Sequence, residues 1–204
     1  MNFTSVDKFR VLLIGDLKVG KSNIYKRLAR NYKFDSAPGP FSLGFELITR
    51  DINVADRKIR IQYWDSSGDA RFRKLTMSGF QEAHAFLLVY DITNRESFDN
   101  ISDWVKEIKG LAKEGVRIIL IGNKCDLEEE RQVSYEEGRM AAEGLKAQFF
   151  EISGRTRENM DYMEKCLVNG FGKENKENKE DGAEKRRERI EDEIVRAVNS
   201  GSGR

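Results

Sequence analysis

The feature that most constrains this chain is the stretch Gly15-Asp16-Leu17-Lys18-Val19-Gly20-Lys21-Ser22 and what lies on either side of it. Before it stands the apolar run Phe9-Arg10-Val11-Leu12-Leu13-Ile14, which reads as a short buried strand. After it, Asn23–Arg30 places Ile24, Leu28 and Tyr25 on one helical face. Strand, glycine loop and helix form the context in which G-x-x-x-x-G-K-S becomes a phosphate site. Glycine lets the backbone wrap an anion closely, so that successive N–H groups and the helix N-terminus face it. Gly15 through Ser22, together with Asn23 at the helix start, are therefore candidate ligand residues. Lys21 supplies positive charge at the β- and γ-phosphates, and Ser22 a hydroxyl for Mg²⁺.

The rest of the chain repeats the alternation. Strand-like segments run over Phe45–Asn53, Arg57–Tyr63, Ala85–Tyr90, Val116–Gly122 and Gln148–Ile152. Trp64–Phe72 is expected to break the strand pattern. Helical spacing of apolar residues marks Ser97–Ala112, Ser134–Lys146 and Arg157–Asn169. Strands alternating with helices predict an α/β fold, a mostly parallel sheet covered on both faces. Ligands of such sheets sit beyond the carboxyl ends of the strands. Polar clusters fall at four such ends: the glycine loop, Asp65–Gly68, Asn123-Lys124-Cys125-Asp126 and Ser153-Gly154-Arg155.

The third cluster, N-K-x-D after a buried strand, points to the base. The Asp126 carboxylate can accept from both the N1–H and the exocyclic amine of guanine, a donor pair that adenine lacks. Asn123 is placed to brace the loops, the Lys124 stem to lie along the base, and Ser153-Gly154 to offer N–H groups to the guanine carbonyl.

Composition excludes several alternatives. A net charge of +1 over 204 residues argues against a dedicated nucleic-acid binder. No run reaches the roughly 18 apolar residues of a membrane span, and the first residues hold no signal-peptide core. Two cysteines, Cys125 and Cys166, fit neither a metal site nor a disulfide framework, so a reducing cytoplasmic setting is expected. The domain organisation reads as a nucleotide-binding domain over 1–171, a charged Lys-Glu-Asn linker over 172–182, and a marginal exposed helix with a flexible tail over 183–204.

Over about residues 8–170 the chain resembles the Ras-like small GTPases, Rab branch. The resemblance rests on the glycine loop, W-D-x-x-G at Trp64–Gly68, the phrase Phe86–Phe98, N-K-x-D, and Glu151-Ile152-Ser153. It implies a P-loop NTPase fold of six strands and five helices, GTP or GDP with Mg²⁺, and two switch loops that meet effectors in the GTP form. Carried to this chain, Ser22 and Ser42 ligate Mg²⁺, Asp65 reaches it through water, the Gly68 N–H senses the γ-phosphate, and Phe34 stacks on guanine. Arg155 completes the base loop. Effectors are expected at 36–47 and 64–80, with an exchange factor as a further partner and the chain itself a monomer.

Departures from the family pattern shape the expected activity. The catalytic glutamine is Asp69, the small third loop position is Leu17, and the next is Lys18. The switch threonine is Ser42, and Ser-Ala-Lys is Ser153-Gly154-Arg155. Lys21, Gly68 and Asp69 are the expected catalytic set, with slow GTP hydrolysis. The alternative is a scaffold locked to one nucleotide. Neither cysteine lies near the end, so either the native terminus lies further on or no prenyl anchor is used; membranes are reached only through partners. Lone His84, at a strand start, reads as structural.

Overall fold

A computed structural model describes residues 7–29, 45–54, 57–66 and 79–171. The expectations for Phe34, Ser42, Gly68, Asp69, the linker at 172–182 and the segment at 183–204 lie outside the described residues.

Among the described residues six strands form one sheet: β1 (Asp7–Ile14), β2 (Phe45–Val54), β3 (Arg57–Ser66), β4 (Ala85–Asp91), β5 (Arg117–Asn123) and β6 (Gln148–Ile152). Their order is β2-β3-β1-β4-β5-β6, and only the β2–β3 pair is antiparallel. The helices are α1 (Lys21–Ala29), α2 (Arg95–Asp99), α3 (Ile101–Leu111), α4 (Tyr135–Gly144) and α5, residues 160–171. Contacts divide the chain into two units at Met163/Glu164, so the end of α5 is the described part of the second.

Burial on both faces explains why the central strands are continuously apolar. Leu12, Ile14, Phe86, Leu88, Tyr90 and Leu120 cluster with Ile101, Trp104, Val105 and Ile108 of α3 and Ala142 of α4. The alternate residues Val11, Leu13, Leu87, Val89, Ile119 and Ile121 are buried as well. Ile24, Tyr25 and Leu28 of α1 are buried beside β1 and β3. The expected α/β fold with helices on both faces is the fold observed.

Several boundaries differ from those the pattern predicts. Trp64, Asp65 and Ser66 do not break β3; hydrogen bonding to β1 and β2 on its two sides carries the strand through Ser66. The helix predicted from Ser97 to Ala112 is two pieces. Asn94 caps α2 by accepting from the Ser97 N–H, and the chain interrupts at Asn100 before α3 begins. At α4, Ser134 is the cap rather than the first turn, in a reciprocal box with Glu137. Lys146 in left-handed conformation (φ 54°) lies beyond the end of α4. Arg157 (φ 78°) and Asn159 (φ 57°) are also left-handed, so α5 cannot start before residue 160.

Candidate nucleotide site

The carboxyl ends of β1, β3, β4, β5 and β6 meet at one edge of the sheet. Asp65 pairs in register with Leu13, Asp91 with Asn123, and Asn123 with Ile152. Three of the four polar clusters are thereby brought together, with Asp65 from the fourth.

The glycine loop is made by backbone that only glycine tolerates comfortably. Gly15 has φ 136°, and a Cβ there would stand 2.1 Å from the Val89 carbonyl oxygen. Gly20 has φ 96°, and its Cβ would stand 2.3 Å from Asn123 Nδ2. Lys18 is left-handed without being glycine (φ 66°), a strained position on an exposed loop. Beside it, Leu17 is 60% exposed. Lys21 is buried at the start of α1 and donates to the carbonyls of Gly15 (2.8 Å) and Asp16 (2.5 Å). Burial pulls its ammonium down to about 8, while Asp65 and Asp16 nearby oppose that shift. Ser22 is exposed at the helix start.

Asn123 joins the two halves of the site. Its Nδ2 donates to the Val19 carbonyl (2.7 Å), and its Oδ1 accepts from the Gly154 N–H (3.0 Å). The Gly154 N–H is thus committed to Asn123, and the Arg155 N–H donates to Ser153 Oγ (3.1 Å), a hydroxyl that also accepts from Thr156 N–H (2.9 Å). The loop is fixed from below by the Cys125 N–H on the Ile152 carbonyl (3.2 Å). Burial, the largest cause, pushes the Cys125 thiol up to about 12, which makes it a packing residue rather than a nucleophile.

Two side chains of the site, Asp91 and Arg27, escape sequence reasoning, as do the partners of a third, Asp16. Asp91 forms an ion pair with Lys124, while its other oxygen accepts from Thr93 N–H (2.9 Å) and Thr93 Oγ1 (2.7 Å). Lys124 is itself left-handed (φ 70°), and this pair holds its stem in place. Arg27 of α1 donates to the Gly154 carbonyl (3.2 Å) and to that of Arg155. The Asp16 carboxylate is bonded to Asn100 and Trp104. The only local signal was the position of Asp91 at a strand end; the partners of Arg27 and Asp16 are 84 or more residues away in sequence. His84 lies at the amino end of β4, the opposite end from the site. Its Nδ1 accepts the Arg10 N–H (3.1 Å) and its ring meets Phe9 edge-on, which makes it a strand-to-strand brace.

The residues present fit a guanine nucleotide and Mg²⁺. Asp126 Oδ1 is shut from solvent and receives no hydrogen bond from the described residues. A buried acceptor of this kind is costly unless a donor arrives. On the phosphate side, the Ser22 hydroxyl and the buried Asp65 carboxylate are the hard oxygen donors that Mg²⁺ prefers.

A glycine loop between β1 and α1, a parallel sheet with this strand order and an N-K-x-D turn at the end of β5 define a P-loop guanine-nucleotide-binding domain. Residues 10–170 match the Ras family, and the chain belongs to it, as a Ras-like small GTPase of the Rab-like branch. It is 40% identical over 161 residues to the Ras-related protein RABA6a of Arabidopsis thaliana, covering 78% of this chain and 67% of that one. It is 40% identical to the GTP-binding protein ypt2 of Schizosaccharomyces pombe (74% and 75% covered) and 38% identical to the mouse Ras-related protein Rab-3D (78% and 72%). No helix among the described residues is long and apolar enough to cross a membrane.

Proposed function

We infer that this small GTPase is a GTP/GDP switch of the Rab kind, acting in vesicle trafficking, whose own hydrolysis of GTP is slow. One observation carries the nucleotide assignment: Asp126 Oδ1, sealed and lacking a donor, at the end of a turn that Asn123 ties to the phosphate loop. The guanine N1–H and amine supply the missing donors.

The phosphates lie against the N–H groups of residues 15–23, with Lys21 exchanging its loop carbonyls for the β- and γ-oxygens. Ser22 and Ser42 would ligate Mg²⁺ and Asp65 would reach it through water, and the ion would supply positive charge at those oxygens. Phe34 and the Lys124 stem flank the base, and the 153–155 loop closes its edge. The Gly68 N–H and Ser42 answer to the γ-phosphate, so effectors at 36–47 and 64–80 read the bound state. An exchange factor completes the cycle.

Slow hydrolysis follows from the chemistry of residue 69. Rate here comes from placing a water in line and stabilising charge on the phosphate oxygens. A glutamine amide accepts from that water and donates to the phosphate. An ionised Asp69 only accepts, is one methylene shorter, and sets negative charge beside the γ-phosphate. Leu17, 60% exposed on the phosphate loop, adds bulk where an arginine finger would enter. Those same two residues favour the second reading, a scaffold locked to one nucleotide.

The nucleotide released from the denatured, purified protein tests the assignment: GTP or GDP supports it, and ATP refutes it. Single-turnover hydrolysis then separates the two readings. Recovery of rate in Leu17→Ser/Asp69→Gln supports the slow switch; a wild type as fast as ordinary relatives, slowed by Asp69→Gln, overturns it.

A further inference from the structure

We propose that Asp16 is a positioning residue for the phosphate site, held by a two-point clamp from the N-terminal end of α3, and that the clamp sets how long nucleotide stays bound. This rests on reading the site as one for guanine nucleotide.

Each oxygen of the Asp16 carboxylate has its own donor. Asn100 Nδ2 donates to Oδ2 at 2.7 Å, and Trp104 Nε1 donates to Oδ1 at 2.8 Å. The donors are four residues apart, so one face of the helix presents both. Trp104 is 7% exposed and packed into the core against the sheet, which fixes its indole N–H in space. Asn100 occupies the interruption between α2 and α3, where its main chain is already engaged: its N–H donates to Glu96 and its carbonyl accepts from Asp103 and Trp104. Its side chain is left to serve Asp16.

The other end of Asp16 belongs to the phosphate site. Its carbonyl oxygen accepts from Lys21 Nζ at 2.5 Å. Two residues on, Lys18 holds a left-handed conformation that persists only where the surroundings over-determine it. The clamp supplies that constraint from outside the loop.

Charge gives the clamp a second task. A carboxylate in a loop that cradles an anion opposes the ligand. Two donors, one per oxygen, satisfy the Asp16 charge and hold it toward α3. Released from them, the same carboxylate is free to repel the phosphates or to compete for Lys21. Losing the donors is therefore worse than losing the acid.

The test is a mutant cycle on the full chain loaded with fluorescent GDP in Mg²⁺, chased with excess GDP, with chemical unfolding of each protein alongside. Asn100→Ala/Trp104→Phe is expected to speed GDP dissociation by about tenfold, a fraction of the full effect of two hydrogen bonds to a charged group, because Asp16 touches the ligand site only through the loop. Asp16→Ala alone is expected to speed it less. In the Asp16→Ala background, the Asn100/Trp104 pair of changes should alter the rate by less than about twofold, the signature of coupled rather than independent sites. Unfolding midpoints should fall in both backgrounds, through the lost packing of Trp104, and further where Asp16 is present to lose its donors. Equal acceleration in both backgrounds, or a faster Asp16→Ala than Asn100→Ala/Trp104→Phe, overturns the proposal while leaving the functional reading intact. A chain that takes up no guanine nucleotide overturns both.

Discussion

Asn123→Ala removes a side chain that connects the phosphate loop to the base loop, and the structure allows its cost to be worked out. Asn123 is 2% exposed, and its two bonds, to the Val19 carbonyl at 2.7 Å and from the Gly154 N–H at 3.0 Å, are both buried. Each backbone group left without a partner costs about 1–3 kcal/mol. A water entering the space of the lost amide recovers part of this, so the expected loss of unfolding free energy is about 3 kcal/mol. Both loops contribute to nucleotide binding in the proposed site, so GDP dissociation should accelerate by about a hundredfold. Guanidinium titration of the GDP-loaded protein and a fluorescent-GDP chase read the two effects. A drop below about 1 kcal/mol with an unchanged dissociation rate refutes the reasoning, because it means the two bonds carry no net load. Gly20 offers an internal control. Its Cβ would stand 2.3 Å from Asn123 Nδ2, so Gly20→Ala is destabilising partly through that contact and partly through φ 96°. Truncating Asn123 removes the contact and leaves the backbone strain. Gly20→Ala/Asn123→Ala should therefore fall short of the sum of the single losses by about 0.5–3 kcal/mol.

Lys18→Gly relieves a left-handed lysine at the cost of a more mobile unfolded chain, and a net gain of about 0.5 kcal/mol in denaturant unfolding is expected. Asp126→Asn should weaken GDP binding and admit xanthine nucleotide, whose extra carbonyl pairs with the new amide; competition experiments with GTP, XTP and ATP read the switch. The Arg60 guanidinium, bonded to Asp51 at 2.6 and 2.8 Å, together with Lys58, holds the Asp51 carboxyl down at about 2. Its contribution is complete above the unfolded value of about 4 and is lost as pH falls toward 2, so Asp51→Asn should cost about 1 kcal/mol at neutral pH and flatten the acid limb of the stability curve.

The parts of this fold that were legible are those where a single physical cause acts along the local chain. Ala85–Asp91 and Arg117–Asn123 are buried on both faces, so both could be read as central strands. Gln148–Ile152 was read with its observed bounds. The errors sit where a distant or special backbone preference wins. Trp64-Asp65-Ser66 looks like a strand breaker until β1 and β2 are seen to bond the chain on both sides. Arg157 and Asn159 carry no composition signal of the left-handed turns that delay α5. At the site, motifs located the residues but not their partners. Lys124 was expected along the base, yet which carboxylate fixes it became visible only when β4 and β5 set Asp91 opposite Asn123. Gly154 looked available to a ligand, and it is Asn123 that takes its N–H.

The distribution of unusual residues separates binding from timing. On the base side, Asn123, Lys124 and Asp126 keep the N-K-x-D pattern; Asn123 is held by the Val19 carbonyl and Lys124 by Asp91. Lys21 and Ser22 keep the pattern that the β-phosphate and Mg²⁺ require. In the proposed site, Leu17, Lys18, Ser42 and Asp69 stand instead at positions assigned to the γ-phosphate or to the partners that act on it. The base side departs from the family pattern only at Gly154 and Arg155 of its closing loop. Departures weighted toward the other side favour the proposed reading of a protein that still binds and whose rate of leaving the GTP state has been reset. Leu17 is the residue on which the two accounts of that reset divide. If bulk at the phosphate loop excludes an arginine finger, Leu17→Ser alone restores acceleration by an activating protein without changing the intrinsic rate. If Asp69 alone sets the rate, Leu17→Ser changes neither.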